Sequence, residues 1–284
     1  MYDVVVLALA DAPDGCQVRV PVRACVDALA AAGARVETVT ATSDQEIDQV
    51  LDRVAGGTRL VVAPAADAQL RAVVRRMVRA AAPAPSQRPA GLPENRTVPD
   101  LPPLAVLPLD PGAGLAARLG LPVDPAAVAA AVLGDRVRRL DLLRQDGAAA
   151  VTLDGALLGG TGPDGRATPW QGRVEVDDAV LSPGGEPLLA GVVANATGYA
   201  RPDGLPLVTA ADPADGVVEV AVALPVRSRW RRRVRVEVRR ARGRAVTVNP
   251  AGDGVPCLDD GVAGPLIRQR SWWVEPAAWA VYTG

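Results

Sequence analysis

The segment RLVVAPAADAQLRAVV, residues Arg59–Val74, places a strand, a turn and a helix within sixteen residues. Leu60–Ala63 is a short apolar run rich in β-branched residues and is followed by Pro64, the pattern of a buried strand. Leu70, Val73, Val74, Met77 and Val78 then recur at helical spacing, which predicts a helix with one core-facing stripe. Asp67 stands between the two elements.

The same alternation holds on both sides. Val4–Leu7 reads as a first strand, and Val22, Cys25, Val26 and Leu29 form a helical stripe that Gly33 ends. Val36–Thr40 is β-branched, and Ile47, Val50, Leu51 and Val54 mark a helix that Ser43 or Asp44 can cap. Beyond residues 82–103, an Ala- and Pro-rich loop or mobile insertion without a stripe, the pattern resumes. It gives a strand at Leu104–Leu109, helices around Leu115–Leu119 and Pro125–Leu133, and a strand at Arg136–Leu143. Strand–helix alternation at this pitch predicts an α/β domain with a doubly wound parallel sheet over residues 1–145.

After Gly147 the character changes. Short β-type runs at Ala149–Leu153, Arg173–Val176, Leu188–Ala194, Val217–Leu224, Val234–Val238 and Ala245–Val248 are separated by Gly, Pro and Asp turns. They predict a second, all-β sandwich-like domain over residues 146–270, followed by a tail, 271–284, expected to pack back on the first domain.

Composition restricts the chemistry. In 284 residues all 31 basic side chains are arginine, against 32 Asp and Glu, and there is no His, Lys or Phe. A His-activated nucleophile, an imidazole metal site, a Walker lysine and a Schiff base are therefore excluded. The net charge of -1 argues against a surface built for nucleic acid. Cys16, Cys25 and Cys257 form no CxxC pair, so neither a zinc site nor a disulfide framework is expected. The start carries Asp3 and no basic region before its apolar run, and no stretch reaches the length of a membrane span, so a cytoplasmic protein is expected.

Four collinear segments resemble the diacylglycerol kinase-like lipid kinase family, whose first domain is similar to NAD kinases. They are Arg59–Val74, PLAVLPLDPGAGLAARLGLPVDPAAVAAAVLGDRVRRLDL (Pro103–Leu142), GVVANATGYARPDGLPLVTAADPADGVVEV (Gly191–Val220) and VPCLDDGVAGPLIRQRSWWVEPAAWAVYTG (Val255–Gly284). The resemblance implies an α/β nucleotide domain and a β-rich domain, with ATP, magnesium and a lipid head group held between them.

It also implies site residues, most of them substituted here. The family's GGDGT turn aligns with Ala65, Ala66, Asp67, Ala68 and Gln69; its GTGND turn aligns with Asp110, Pro111, Gly112, Ala113 and Gly114. Each alanine adds a Cβ where glycine let backbone amides approach phosphate, and a glycine position of positive φ would cost about 1 kcal/mol to replace. Asp110 puts a carboxylate where a polyphosphate would lie. The early NPxSG turn has become Ala10-Asp11-Ala12-Pro13. Asp260-Gly261 matches the Asp-Gly of the family's DGE, where Asp is the general base, while Val262 replaces its Glu. Asp212 and Asp215 match an acidic turn that holds a structural magnesium in some members.

Each of these has a plainer reading. Asp67 suits a helix cap, Asp260-Gly261 a turn, and Asp212 with Asp215 a polar turn. Asp141 reads as a domain-junction residue. The run Arg227–Arg244 holds ten arginines against Glu237; Arg229, Trp230, Arg231, Arg232 and Arg233 could meet an anionic membrane surface or lipid at the inner face, or form a solvated charged face. Trp272, Trp273 and Trp279 read as core or interface filling. Three functions stay open: a lipid-kinase relative with a degraded ATP site and a lipid- or membrane-surface role, an active ATP-dependent lipid kinase, or a structural partner protein.

Overall fold

The computed structural model describes residues 2–9, 19–110, 112, 114–147, 149–160, 167–227 and 234–284. The chain divides into two compact units: Met1–Leu140 with Ala277–Gly284, and Asp141–Pro276.

The first unit contains β1 (Asp3–Leu9), α1 (Val20–Ala31), β2 (Arg35–Ala41), α2 (Asp44–Ala55), β3 (Arg59–Ala63), α3 (Asp67–Ala81), β4 (Pro103–Val106), α4 (Leu115–Arg118) and α5 (Pro125–Leu133), and β5 (Val137–Gln145) begins in it. Its strands are parallel in the order β2-β1-β3-β4. Side chains alternate across such strands. Val4, Val6, Val61 and Ala63 accordingly share one core with Val22, Cys25 and Leu29 of α1 and Val128 and Val132 of α5. Val5, Leu7, Leu60 and Val62 are buried as well, and α2, which packs with α3, lies against β1 and β2. The doubly wound sheet expected from periodicity is what forms.

Local chemistry places the helix ends. Ser43 is the N-cap of α2 and accepts from the Glu46 amide at 3.3 Å, while Glu46 reaches back to the Thr42 amide at 2.6 Å. The first bond satisfies an amide that the helix leaves free, and the second ties the residue before the cap to the first turn. Asp124 caps α5 through the amides of Ala126 and Ala127.

Residues 82–103 carry a single 3-10 turn at Pro85–Gln87. Arg88 donates to the carbonyls of Leu92, Pro93 and Arg96, and buried Arg96 bonds Asp100 and the Val98 carbonyl. Val98 and Leu101 are buried, and the Leu101 amide donates to the Ala278 carbonyl.

The second unit takes the end of β5 and then β6 (Val151–Thr152), β7 (Gly155–Gly159), β8 (Gly172–Val176), β9 (Ala179–Pro183), β10 (Ala190–Ala194), β11 (Val218–Arg227), β12 (Val234–Gly243), β13 (Ala245–Pro250), β14 (Val255–Asp259), β15 (Val262–Leu266) and most of β16 (Arg270–Tyr282). One antiparallel sheet runs β12-β11-β10-β7-β14-β15, and β16, β13, β8 and β9 pair antiparallel in a second. Val174, Val246, Val248 and Trp272 of the second sheet pack with Leu158, Val193, Val220 and Cys257 of the first. That is a β-sandwich core. The last residues of β16 belong to the first unit, where Ala280 and Val281 pair parallel with Pro103 and Leu104 of β4.

Trp272 and Trp279 are fully buried, and Trp273 is half-buried. No helix among the described residues is long and apolar enough to cross a membrane.

Candidate functional site

The turns after β3 and β4 lie side by side because strand pairing continues past the strands: Leu107 donates to the Val62 carbonyl at 2.8 Å, and Leu109 to that of Pro64 at 3.0 Å. The segments aligned with the two glycine-rich turns are thereby brought together within the first unit. Pro111 and Ala113, like Ala10-Asp11-Ala12-Pro13, lie outside the described residues.

Ala65, Ala66 and Ala68 do not occupy the left-handed region, so alanine is unstrained there. The penalty expected for replacing glycines of positive φ does not arise, because this turn takes an ordinary extended entry: Ala66, at φ -148 and ψ 157, is the N-cap of α3. Ala66 has no side chain able to cap. Instead the Gln69 Oε1 atom accepts the Ala65 amide at 2.7 Å, one residue earlier than in a standard capping box.

Asp67 is the first residue of α3 and does not cap it. Its Oδ1 accepts the Leu115 amide at 2.8 Å, at the start of α4, and its Oδ2 pairs with Arg118 Nη2 at 2.8 Å. Both side chains are only 25% exposed, so solvent screens the pair partially. A Cβ on Gly114 would stand 3.2 Å from Asp67 Oδ1. Position 114 is thus pressed against the carboxylate that Arg118 neutralises. In the second turn, exposed Asp110 folds back so that its Oδ1 accepts the Gly112 amide at 3.3 Å, an Asx-type closure. Three amides of the paired turns therefore end on this chain's own side chains.

In the second unit Asp260 is 2% exposed and sits at φ +45, with Gly261 at φ +81, in the two-residue turn joining β14 to β15. Positive φ at both positions is the Asp-Gly hairpin geometry. The Asp260 carboxylate accepts the amides of Leu153 (2.7 Å), Asp154 (2.9 Å) and Gly155 (3.2 Å), which ties this turn to the one between β6 and β7. Asp259 bonds Gln145 and Thr152, and Asp154 accepts the Gly198 amide. A Cβ at residue 198 would fall 1.9 Å from Asp154 Oδ2, so that approach requires glycine. The Tyr199 hydroxyl accepts the Gly261 amide at 2.7 Å. Burial, reinforced by the nearby carboxylates of Asp260, Asp154 and Asp259, pushes the Tyr199 phenol well above its ordinary value, so it stays protonated.

Asp212 and Asp215 lie in one loop of the second unit. Asp212 accepts the Ala214 amide and Asp215 the Val217 amide, both at 3.1 Å, and Asp215 pairs with Arg242. Asp141, buried, accepts the Gly216 amide at 2.6 Å. No group of three or more Cys, Asp or Glu among the described residues could hold a metal ion.

Arg229, Trp230, Arg231, Arg232 and Arg233 lie outside the described residues. Along the described part of β12, Arg239 grips Glu186 through both oxygens, Arg240 donates to the carbonyls of Pro206 and Leu207, and Arg242 bonds Glu219. Those three arginines are committed to the unit's own acceptors.

Sequence reading missed the roles of Arg118, Asp154, Tyr199 and Arg242, and the inward turn of Gln69. Arg118, Tyr199 and Gln69 stood in matched segments and Arg242 in the arginine run, whereas Asp154 carried no signal of its own.

Taken together, a parallel α/β unit and an antiparallel β-sandwich unit joined in this order define the diacylglycerol kinase/NAD kinase-like fold. Comparison with solved structures gives the same class. A diacylglycerol kinase from Bacillus anthracis str. Sterne matches 100% of this chain and 97% of its own at TM-score 0.66 and 12% identity. A putative diacylglycerol kinase from that organism gives TM-score 0.68 over the same shares, also at 12% identity. An NAD kinase from Archaeoglobus fulgidus, solved in complex with ATP, gives 0.55 at 14% identity over 99% and 93% of the two chains. No family model matches the chain, and no curated protein does.

Proposed function

We propose that this chain is a lipid-kinase-fold protein whose phosphate-binding turns are filled by its own side chains, so that it does not transfer phosphate efficiently from ATP. The observation that carries this reading is the closure of the paired turns: Gln69 on the Ala65 amide, Asp110 on the Gly112 amide, and Asp67 on the Leu115 amide. Phosphoryl transfer relies on positioning and on neutralising charge with amides, cations and magnesium. An amide already bonded to a carboxamide or carboxylate has no proton left for a phosphate oxygen, and Asp110 adds repulsion. Asp67 is paired with Arg118 and Asp260 already accepts three amides, so neither carboxylate stands ready to take a metal or a hydroxyl proton. Magnesium is bound through one or two carboxylates plus phosphates and water, and the residues present in these turns fit that requirement poorly.

The role we propose for it is binding at a lipid or anionic membrane surface, in the cytoplasm or at the inner face. The segment containing Arg229–Arg233 and Trp230 would supply the contact.

A second reading, an ATP-dependent kinase acting on a diacylglycerol-type hydroxyl, draws support from the likeness to an NAD kinase solved with ATP and from the retained Asp67 and Asp260. A labelled-ATP assay over a lipid panel separates the two. The first reading predicts no transfer above background from wild type, Asp67→Asn or Asp260→Asn. Wild-type turnover that both substitutions abolish would establish the kinase.

A further inference from the structure

The resemblance implies a magnesium ion in the acidic loop around Asp212 and Asp215, and the residues present do not fit one. Magnesium demands six oxygens in near-octahedral geometry at about 2.1 Å. Here several of the protein oxygens that could supply them already accept hydrogen bonds. Asp212 Oδ1 takes the Ala214 amide and Asp215 Oδ1 takes the Val217 amide, both at 3.1 Å. The Pro213 carbonyl takes the Asp141 amide at 2.6 Å, and Asp141 Oδ2 takes the Gly216 amide.

The positive charge that this loop needs is present in another form. Glu219 of β11 pairs across the strands with Arg242 of β12. From that register the Arg242 guanidinium reaches both acids: its Nε lies 2.6 Å from Glu219 Oε1, and its Nη2 bonds Asp215 Oδ2. A guanidinium is planar, always charged, and presents its donors as a fork that can serve two carboxylates at once. The geometry points to Arg242 as the loop's built-in cation, holding residues 212–217 in place of a divalent ion and making this loop independent of magnesium.

This inference concerns the second unit and stands whether or not the first unit binds ATP. It has a direct consequence: any magnesium requirement of the chain reports on phosphate binding elsewhere, because the loop has no use for the ion.

The test is thermal unfolding of the full chain in EDTA and in magnesium chloride at matched ionic strength, with hydrogen exchange read over residues 212–217. Wild type is expected to melt within about 1 °C in the two conditions, and Asp212→Asn to show the same indifference. Arg242→Gln is expected to speed exchange at 212–217 by about tenfold or more in both conditions, with Arg242→Lys in between because an ammonium lacks the fork. A saturable magnesium stabilisation of wild type, of about 3 °C or more and lost in Asp212→Asn, would overturn the inference. Unchanged exchange in Arg242→Gln would overturn it equally. Should Arg242→Gln fail to fold, the magnesium response of wild type and Asp212→Asn decides alone.

Discussion

The Gln69 side-chain oxygen accepts a hydrogen bond from the Ala65 amide at 2.7 Å, closing from within the turn between β3 and α3. Ala66, the residue at the cap position, has no side-chain acceptor, and Gln69 instead ties the residue before the cap to the first turn of α3. Gln69→Ala should therefore destabilise the protein by about 1 kcal/mol, the usual net worth of one hydrogen bond, measured as a shift in urea midpoint without change in slope. An unchanged midpoint would mean that the bond contributes nothing in solution.

Asp67 and Arg118 form a second closure. Asp67→Asn loses the charge on the pair and should cost about 1 kcal/mol, more than a fully exposed ion pair because each side chain is three-quarters covered. Arg118→Gln should cost a similar amount, and the double variant little more than either alone. Additive losses would show that the two residues act separately. Placing Asp at position 114 should not restore a nucleotide site, since the new side chain would begin 3.2 Å from Asp67 Oδ1.

Asp260→Ala should be among the most damaging single changes in the second unit. It strips three buried amides of one acceptor, at about 1–3 kcal/mol for each group left unsatisfied and unreached by water. Tyr199→Phe should cost about 1 kcal/mol by freeing the Gly261 amide. Circular dichroism melts of both variants test this. A wild-type melting temperature for Asp260→Ala would show that these three bonds do not hold the turn.

Alkaline stability follows from Cys25, which lies in the core formed by α1 and α5 against the sheet. Burial pushes its thiol up to about 11 from an ordinary 9.0. The folded state thus keeps a proton that the unfolded chain releases. This contribution is fully present below pH 9 and is lost as pH rises towards 11. Wild type should lose about 2–3 kcal/mol across that window from this group alone. Cys25→Ala should be less stable at about pH 8 and should close much of the gap by about pH 10.5 in urea melts. A gap that stays constant with pH would contradict the assignment.

How much of this was legible in the sequence depended on the kind of interaction. The stripe Leu70, Val73, Val74, Met77 and Val78 is buried throughout, because one-sided burial of a helix writes itself into spacing. Strands of the second unit were harder. β7, GALLG, carries two glycines and no alternation; its Gly155 is required because a Cβ there would meet the Val193 carbonyl at 2.5 Å. β12 runs to Gly243, well past Val238, since its arginines find acceptors on neighbouring elements. The site was legible only as positions. That Asp67 reaches Leu115 and Arg118, 48 and 51 residues away, or that Arg242 reaches Asp215, depends on tertiary proximity that no local pattern records.

Calorimetric titration of magnesium-ATP into the wild-type chain and into Gln69→Gly/Asp110→Gly tests the central claim most directly. Self-filled turns predict no saturable heat for wild type up to about millimolar nucleotide, and a gain of about tenfold or more in affinity once the two side chains are removed. Micromolar binding by wild type, undiminished by its own Gln69 and Asp110, would contradict it.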